Sequence, residues 1–336
     1  MSRKTKIWLT VAASLTIIGL IIFGGTMAMI KWDFSRLSTV QYETERYEIY
    51  EMFENISVIT DTADIEFVIS ENGKATVVCR EEPKAKHSVA VKNGTLTIEL
   101  WETRKWYEHI HIGITVDSPK ITVYLPSGEY GALSVKGRTG RTSIAKEFTF
   151  ESIDIALTTG EINNYASAIG AVKLKATTGA ILVQNVKSAS LSMTASTGSV
   201  SAKGVTCTGD VTVKVSTGRL NAENVSSKSF TSTGSTGSAS LKNVIAEESF
   251  SVKRSTGSIK LDGCDAASIV ISTDTGNITG TLLSEKNFIA SSDTGNISVP
   301  DTHTGGRCEL TTDTGDIKIS IKKCAEAHYR ALSYRA

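Results

Sequence analysis

From Phe53 to Ile321 the chain is written in short alternating stretches. Apolar pairs such as Leu191/Met193, Val211/Val213, Phe250/Val252 and Ile269/Ile271 enclose Ser, Thr, Lys or Val. A period of two predicts extended strands with one face buried and one face wet. Each pair stands seven and five residues before the glycine of a Thr-Gly dipeptide. Two residues after the glycine another apolar residue follows: Ile162, Ile181, Val200, Leu220, Ala239, Ile259, Ile278, Ile297 and Ile317. Only the first repeat departs, with Thr142 in that place.

The dipeptides keep time. Their glycines are Gly140, Gly160, Gly179, Gly198, Gly218, Gly237, Gly257, Gly276, Gly295 and Gly315, always 19 or 20 residues apart. A second corner follows six or seven residues later, at Asn185, Gly204, Asn224, Asn243 and Gly263, residues that tolerate left-handed backbone. Each repeat therefore reads as strand, Thr-Gly corner, strand, Asn/Gly corner. A unit this short cannot bury its own apolar face, but stacked on its neighbours it can. The prediction is all-β: a parallel β-solenoid with rungs of 19–20 residues, right-handed by the twist rule for parallel crossovers. Ten rungs at about 4.8 Å each give a rod of about 50 Å. An antiparallel sandwich is the competing architecture, and its loops vary in length where these do not.

The ends differ from the middle. Residues 51–126 predict an N-terminal β cap of the solenoid, with Asn93-Gly94 turning a hairpin and Thr62-Ala63-Asp64-Ile65 as a degenerate corner. Repeats occupy 127–322 and a tail 323–336. Residues 31–50 read as a polar stalk, and 7–30 as a transmembrane helix behind a cytoplasmic tail, 1–6. Ile7 to Ile30 is 24 residues without a charge, about 36 Å as a helix. Trp8 and Trp32 flank it, and Arg3, Lys4 and Lys6 precede it. By the positive-inside rule the N-terminus is cytoplasmic and the bulk extracellular: a single-pass cell-membrane protein. A cleavable signal peptide is the alternative, with a shorter apolar core than this one.

Composition narrows the chemistry. Lys+Arg number 36 and Asp+Glu 35, a net charge of +1 that argues against a nucleic-acid partner. Five cysteines without Cys-x-x-Cys or Cys/His spacing argue against a disulfide framework or a zinc site. Asp-Thr-Gly, the local signature of an aspartic protease, occurs at Asp274, Asp293 and Asp313. Those aspartates stand where earlier repeats carry Ser or Thr, so they are turn residues. Stacked, they make an acidic file, a candidate cation site. Residues 101–113 gather a candidate glycan or headgroup platform: Trp101, Trp106, Tyr107, His109 and His111. No catalytic residues and no cofactor are assigned.

The apolar anchor, the string "ISVITDTADIEFV" and the recurring "STGSV" and "DTGNI" rungs resemble the bacterial putative-adhesin family, a β-strand-repeat domain of unknown function. The resemblance spans about residues 50–320. It implies a surface-exposed repeat rod with no transferred catalytic residue, and an association with cell-envelope stress systems. The leading expectation is a non-enzymatic, membrane-anchored rod that binds a surface protein or glycan of the envelope. An accessory of an envelope stress sensor is second and a polysaccharide-acting β-helix enzyme third.

Overall fold

The computed structural model describes residues 2–29, 31–32, 42–103, 118–283, 287–299, 302–303, 306–318, 320–321 and 330–333. The chain starts with a helix, α1 (Arg3–Met29), and continues as strands. The cap contains β1 (Glu43–Ile49), β2 (Asn55–Ile59), β3 (Asp64–Ile69), β4 (Ala75–Glu81), β5 (Ala85–Lys92), β6 (Thr95–Glu102) and β7 (Lys120–Leu125). The rod opens with β8 (Gly128–Thr139), β9 (Thr142–Ile144) and β10 (Phe148–Thr159). A parallel β-solenoid of about nine turns results, as the period of the sequence predicts.

Two sheets face each other. One runs from β5 through β6, β2, β8 and β10 to Ala171–Thr178, Ser190–Thr197, Val211–Thr217 and onward. The other runs from β1 through β4, β7, β3 and β9 to Ile162–Asn164, Ile181–Gln184 and Val200–Cys207. Rod pairing is parallel, and identical repeat positions meet. Leu133, Ile153, Val172, Leu191, Val211, Phe230, Phe250, Ile269, Phe288 and Cys308 form one buried column. Within it Phe230 and Phe250 stack, with ring centroids 5.2 Å apart. Such columns hide the face that one rung alone would leave wet, which is what drives stacking. Thr142 keeps its place in the column of Ile162 and Ile181, buried, with its hydroxyl unpartnered.

The Thr-Gly corners form a file along one edge. Their ten glycines have φ between 123° and 151°. A side chain at any of them would overlap the backbone carbonyl of the corner below, so glycine is required by stacking as well as by φ. Ala63 takes the corresponding place beneath Gly140, making Thr62-Ala63 the first corner of the file. At the second corner Asn185, Gly204, Asn224, Asn243 and Gly263 all lie near φ +50° to +63°. Asn243 Nδ2 donates to Asn224 Oδ1 at 2.8 Å, one link of an amide ladder.

The cap is less regular. The β2–β3 rung lies between β6–β7 on one side and β8–β9 on the other, so the chain builds outward before building the rod. Its outer strands pair antiparallel: β1 with β4, β4 with β7, and β5 with β6 through the Asn93-Gly94 turn. Two boundaries differ from the sequence reading. The segment read as a stalk contributes β1, whose Tyr47 and Ile49 pack on the core although its other residues are polar or charged. The segment read as a tail contributes Arg330–Ser333, parallel to Arg307–Thr314. In both places the backbone ladder of an open sheet edge supplies the drive that side-chain patterning does not show.

Candidate functional site

The corner file answers the Asp-Thr-Gly question. Thr275, Thr294 and Thr314 pair in register, and so do the residues on the other side of each aspartate. Asp274, Asp293 and Asp313 therefore stand in one exposed file, related by translation. An aspartic-protease dyad needs two carboxylates turned toward one shared water, a two-fold arrangement that a translated file does not make. Inside the same rungs Thr273, Ser292 and Thr312 are buried. Their hydroxyls donate to the carbonyls of Gly257, Gly276 and Gly295 at 3.1, 2.9 and 2.9 Å. The Asp-Thr-Gly repeats thus bind their corners together through an inward hydroxyl, with the carboxylate left on the surface.

Of the aromatic platform, Trp101 lies on β6 and is 71% exposed. Trp106, Tyr107, His109 and His111 lie outside the described residues.

The outer face of the first sheet carries an unforeseen pattern. Four residues before each corner glycine the register runs Lys136, Ala156, Lys175, Thr194, Lys214, Thr233, Lys253, Ser272. Lysine thus recurs on every second rung, four times, about 10 Å apart. All four are exposed, and none makes an ion pair among the described residues. The facing sheet is arranged differently. There Lys203, Glu223, Lys242 and Asp262 alternate in sign along one column, and Lys242 pairs with Glu223 at 3.2 Å. One column alternates in sign; the other carries lysine without an acid from Lys136 to Ser272, with Asp154 beside it opposite Lys173 and Glu99 two strands below Lys136.

The cap holds a buried polar cluster. Cys79 and Glu81 alternate on β4 and so share its inner face, while His87 reaches in from β5 in the facing sheet. All three are buried, at 0%, 1% and 4% exposure. Glu81 Oε2 lies 2.6 Å from His87 Nδ1 and accepts the His87 backbone N–H at 2.8 Å. His87 Nε2 lies 2.9 Å from Thr60 Oγ1. Glu81 Oε1 is buried with no partner. The order carboxylate, imidazole, hydroxyl is that of a nucleophile relay, yet Thr60 is only 7% exposed, too enclosed to meet a substrate. At the rim the Lys86 ammonium and the Tyr47 hydroxyl hold the Glu45 carboxyl below its usual range. Burial, with Glu45 alongside, pushes the Tyr47 phenol up. The sequence held one signal of this cluster: Cys79-x-Glu81 in an alternating strand puts both side chains on one face. Nothing in it brings His87 or Thr60 there.

Burial, then the Glu81 charge, pushes the Cys79 thiol up to about 12; burial also raises Cys207 and Cys264. An alkylating agent attacks thiolate. At pH 8 iodoacetamide is expected to leave these three cysteines unmodified in the folded chain and to label all of them in denaturant, read by peptide mass. Labelling of Cys79 at the rate of a free thiol under native conditions would contradict the buried cluster.

A family profile described as Toastrack DUF4097 matches residues 53–214 and again 206–335. The chain belongs to the Toastrack DUF4097 family. The resemblance read from the anchor and the repeated rungs is borne out by that match. Comparison with curated proteins gives no match. Among solved structures the Toastrack chain is similar to a putative adhesin from Bacteroides fragilis NCTC 9343, at 20% identity over 73% of this chain and 97% of that one, with a TM-score of 0.43. It is also similar to a putative lipid binding protein from Parabacteroides distasonis ATCC 8503, at 17% identity over 71% and 96%, with a TM-score of 0.46.

Proposed function

We propose that this Toastrack protein is a membrane-tethered, non-catalytic binding rod that lays an anionic polymer of the cell envelope along its lysine column. The helix Arg3–Met29 is long and apolar enough to cross a membrane. Arg3, Lys4 and Lys6 favour a cytoplasmic N-terminus, with the rod outside the cell.

The observation that carries the reading is the contrast between the two outward columns. Lysines held at one register position by a rigid sheet repel one another, so a column left without acids favours an external polyanion. A spacing of about 10 Å suits a linear polymer with regularly repeated charges better than a compact anion. The flat rungs offer contact along their length, which gives avidity from weak individual pairs.

The test uses the full chain in neutral nanodiscs with a polyol-phosphate polymer and a polyuronate. Expected is binding that weakens steeply with salt, since exposed pairs are screened within about 8 Å at physiological ionic strength. Lys175→Glu with Lys214→Glu is expected to weaken it tenfold or more, while Lys203→Glu with Lys242→Glu on the facing sheet changes it little. Equal loss from both pairs, or no binding of either polymer at low salt, would overturn the proposal.

A further inference from the structure

We infer that Cys79, Glu81 and His87 form a buried three-residue binding site for a thiophilic divalent cation, with zinc the best fit and its fourth position left to a water, which clips the two sheets of the cap together. The three ligand atoms all lie within 4.8 Å of one another, and all three residues are buried. Around a four-coordinate zinc such atoms stand about 3.3–3.8 Å apart, so modest rotations of side chains already facing one point close the site.

The second observation is the orphaned Glu81 Oε1. A carboxylate oxygen sealed from water without a donor is costly, and native interiors rarely leave one so. Its partner oxygen, Oε2, is already occupied by the backbone N–H and the ring of His87. Oε1 is thus the oxygen left to accept a cation. On the far side of the ring, Thr60 Oγ1 is placed to accept from Nε2–H. With the proton held on Nε2, Nδ1 would be the nitrogen that meets the ion, which would replace its 2.6 Å contact with Glu81 Oε2; such an outer-shell bond holds a histidine ligand in its tautomer.

Charge favours the same ion. A divalent cation with one thiolate, one carboxylate and a neutral imidazole sums to zero, the only net charge an apolar interior accepts cheaply. The sulfur and nitrogen donors select against calcium and magnesium, which take oxygen. Glu81 and Cys79 belong to one sheet and His87 to the other, so the ion would join the sheets near the end of the solenoid, where among the described strands only β1 lies outside β4.

The experiment uses the full chain purified in detergent without chelator. Elemental analysis is expected to find one zinc ion per chain. After removal of the metal, cobalt(II) is expected to give the intense visible bands of a tetrahedral site with a thiolate-to-cobalt charge-transfer band. Cys79→Ser should abolish that charge-transfer band, Cys207→Ser should leave it intact, and Thr60→Val should weaken cobalt binding about 10–100-fold. Metal loading of the unmutated chain should raise its melting temperature, a readout that does not depend on any variant folding. Absence of bound zinc together with no cobalt binding, or a cobalt spectrum that Cys79→Ser leaves unchanged, would overturn the inference.

Discussion

Gly198→Val is expected to destabilise the middle of the rod by about 3–5 kcal/mol, combining left-handed strain with overpacking. Gly198 has φ +141°, and its missing side chain is the space that the Gly179 carbonyl occupies. The corner above is seated the same way, because Gly218 lies on the Gly198 carbonyl. A valine must push both corners apart, and the register Thr178, Thr197, Thr217 cannot absorb the gap without losing ladder bonds. In a stacked array the damage is local before it is global. Amide hydrogen exchange should show Ser190–Thr197 and Val211–Thr217 losing protection first, and urea unfolding should begin earlier. Ser196→Val, exposed two residues away, is the control, expected within about 0.5 kcal/mol of the parent. Equal stability of Gly198→Val and the parent would remove the steric account of the file.

Ser232→Val combined with Arg254→Met is expected to stabilise the protein by about 1–4 kcal/mol, the range found when buried charged groups are exchanged for packed apolar ones. Arg254 is 1% exposed, the largest side chain so deeply buried in the rod. Its register neighbours are Gly234 and Thr273, in a column that continues to Val215 and Ala195. Nη2 donates to Ser232 Oγ at 2.9 Å and Nη1 to the Lys253 carbonyl at 2.9 Å, and no carboxylate among the described residues pairs with it. The room comes from Gly234, where a Cβ would fall 2.8 Å from Nη1. Burial pulls the guanidinium below its ordinary pKa, the mark of a charge held at a cost. Ser232→Val alone has the opposite sign, costing about 1–3 kcal/mol because it removes an acceptor and leaves the charge. Chemical denaturation of the double variant and of Ser232→Val and Arg254→Met singly gives the cycle; a double variant less stable than the parent would mean that the guanidinium contributes more than it costs.

The repeat was legible because it is local. Inward Leu191, Met193 and Val200 announce their face by alternation, and Gly198 announces a corner by its lack of a side chain. Repetition at 19 or 20 residues then says that like meets like. The same reasoning disposed of Asp274, Asp293 and Asp313 as catalytic groups once their places in the series were counted. It misread β1, because Glu43, Glu45 and Glu48 mask a strand whose drive is backbone pairing with β4.

Columns of charge were half legible. Lys136, Lys175, Lys214 and Lys253 are visible as letters, but the alternation of 19- and 20-residue steps hides that they share one register position until the strands are paired. Alternation after Phe250 and Val252 places Arg254 on the inward face, where no arginine is expected. Only Ser232 and Gly234, one rung below, make the space that draws it inside.

Period, corners and the apolar helix follow from neighbours within a few positions, where backbone sterics and burial act on each residue in turn, so they could be read along the chain. The Cys79–Glu81–His87 cluster and the Arg254 pocket depend on which side chains from different strands meet in a closed, low-dielectric space. That meeting is set by the fold of the cap and the registry of the rungs, through contacts between residues whose spacing along the chain carries no mark of them.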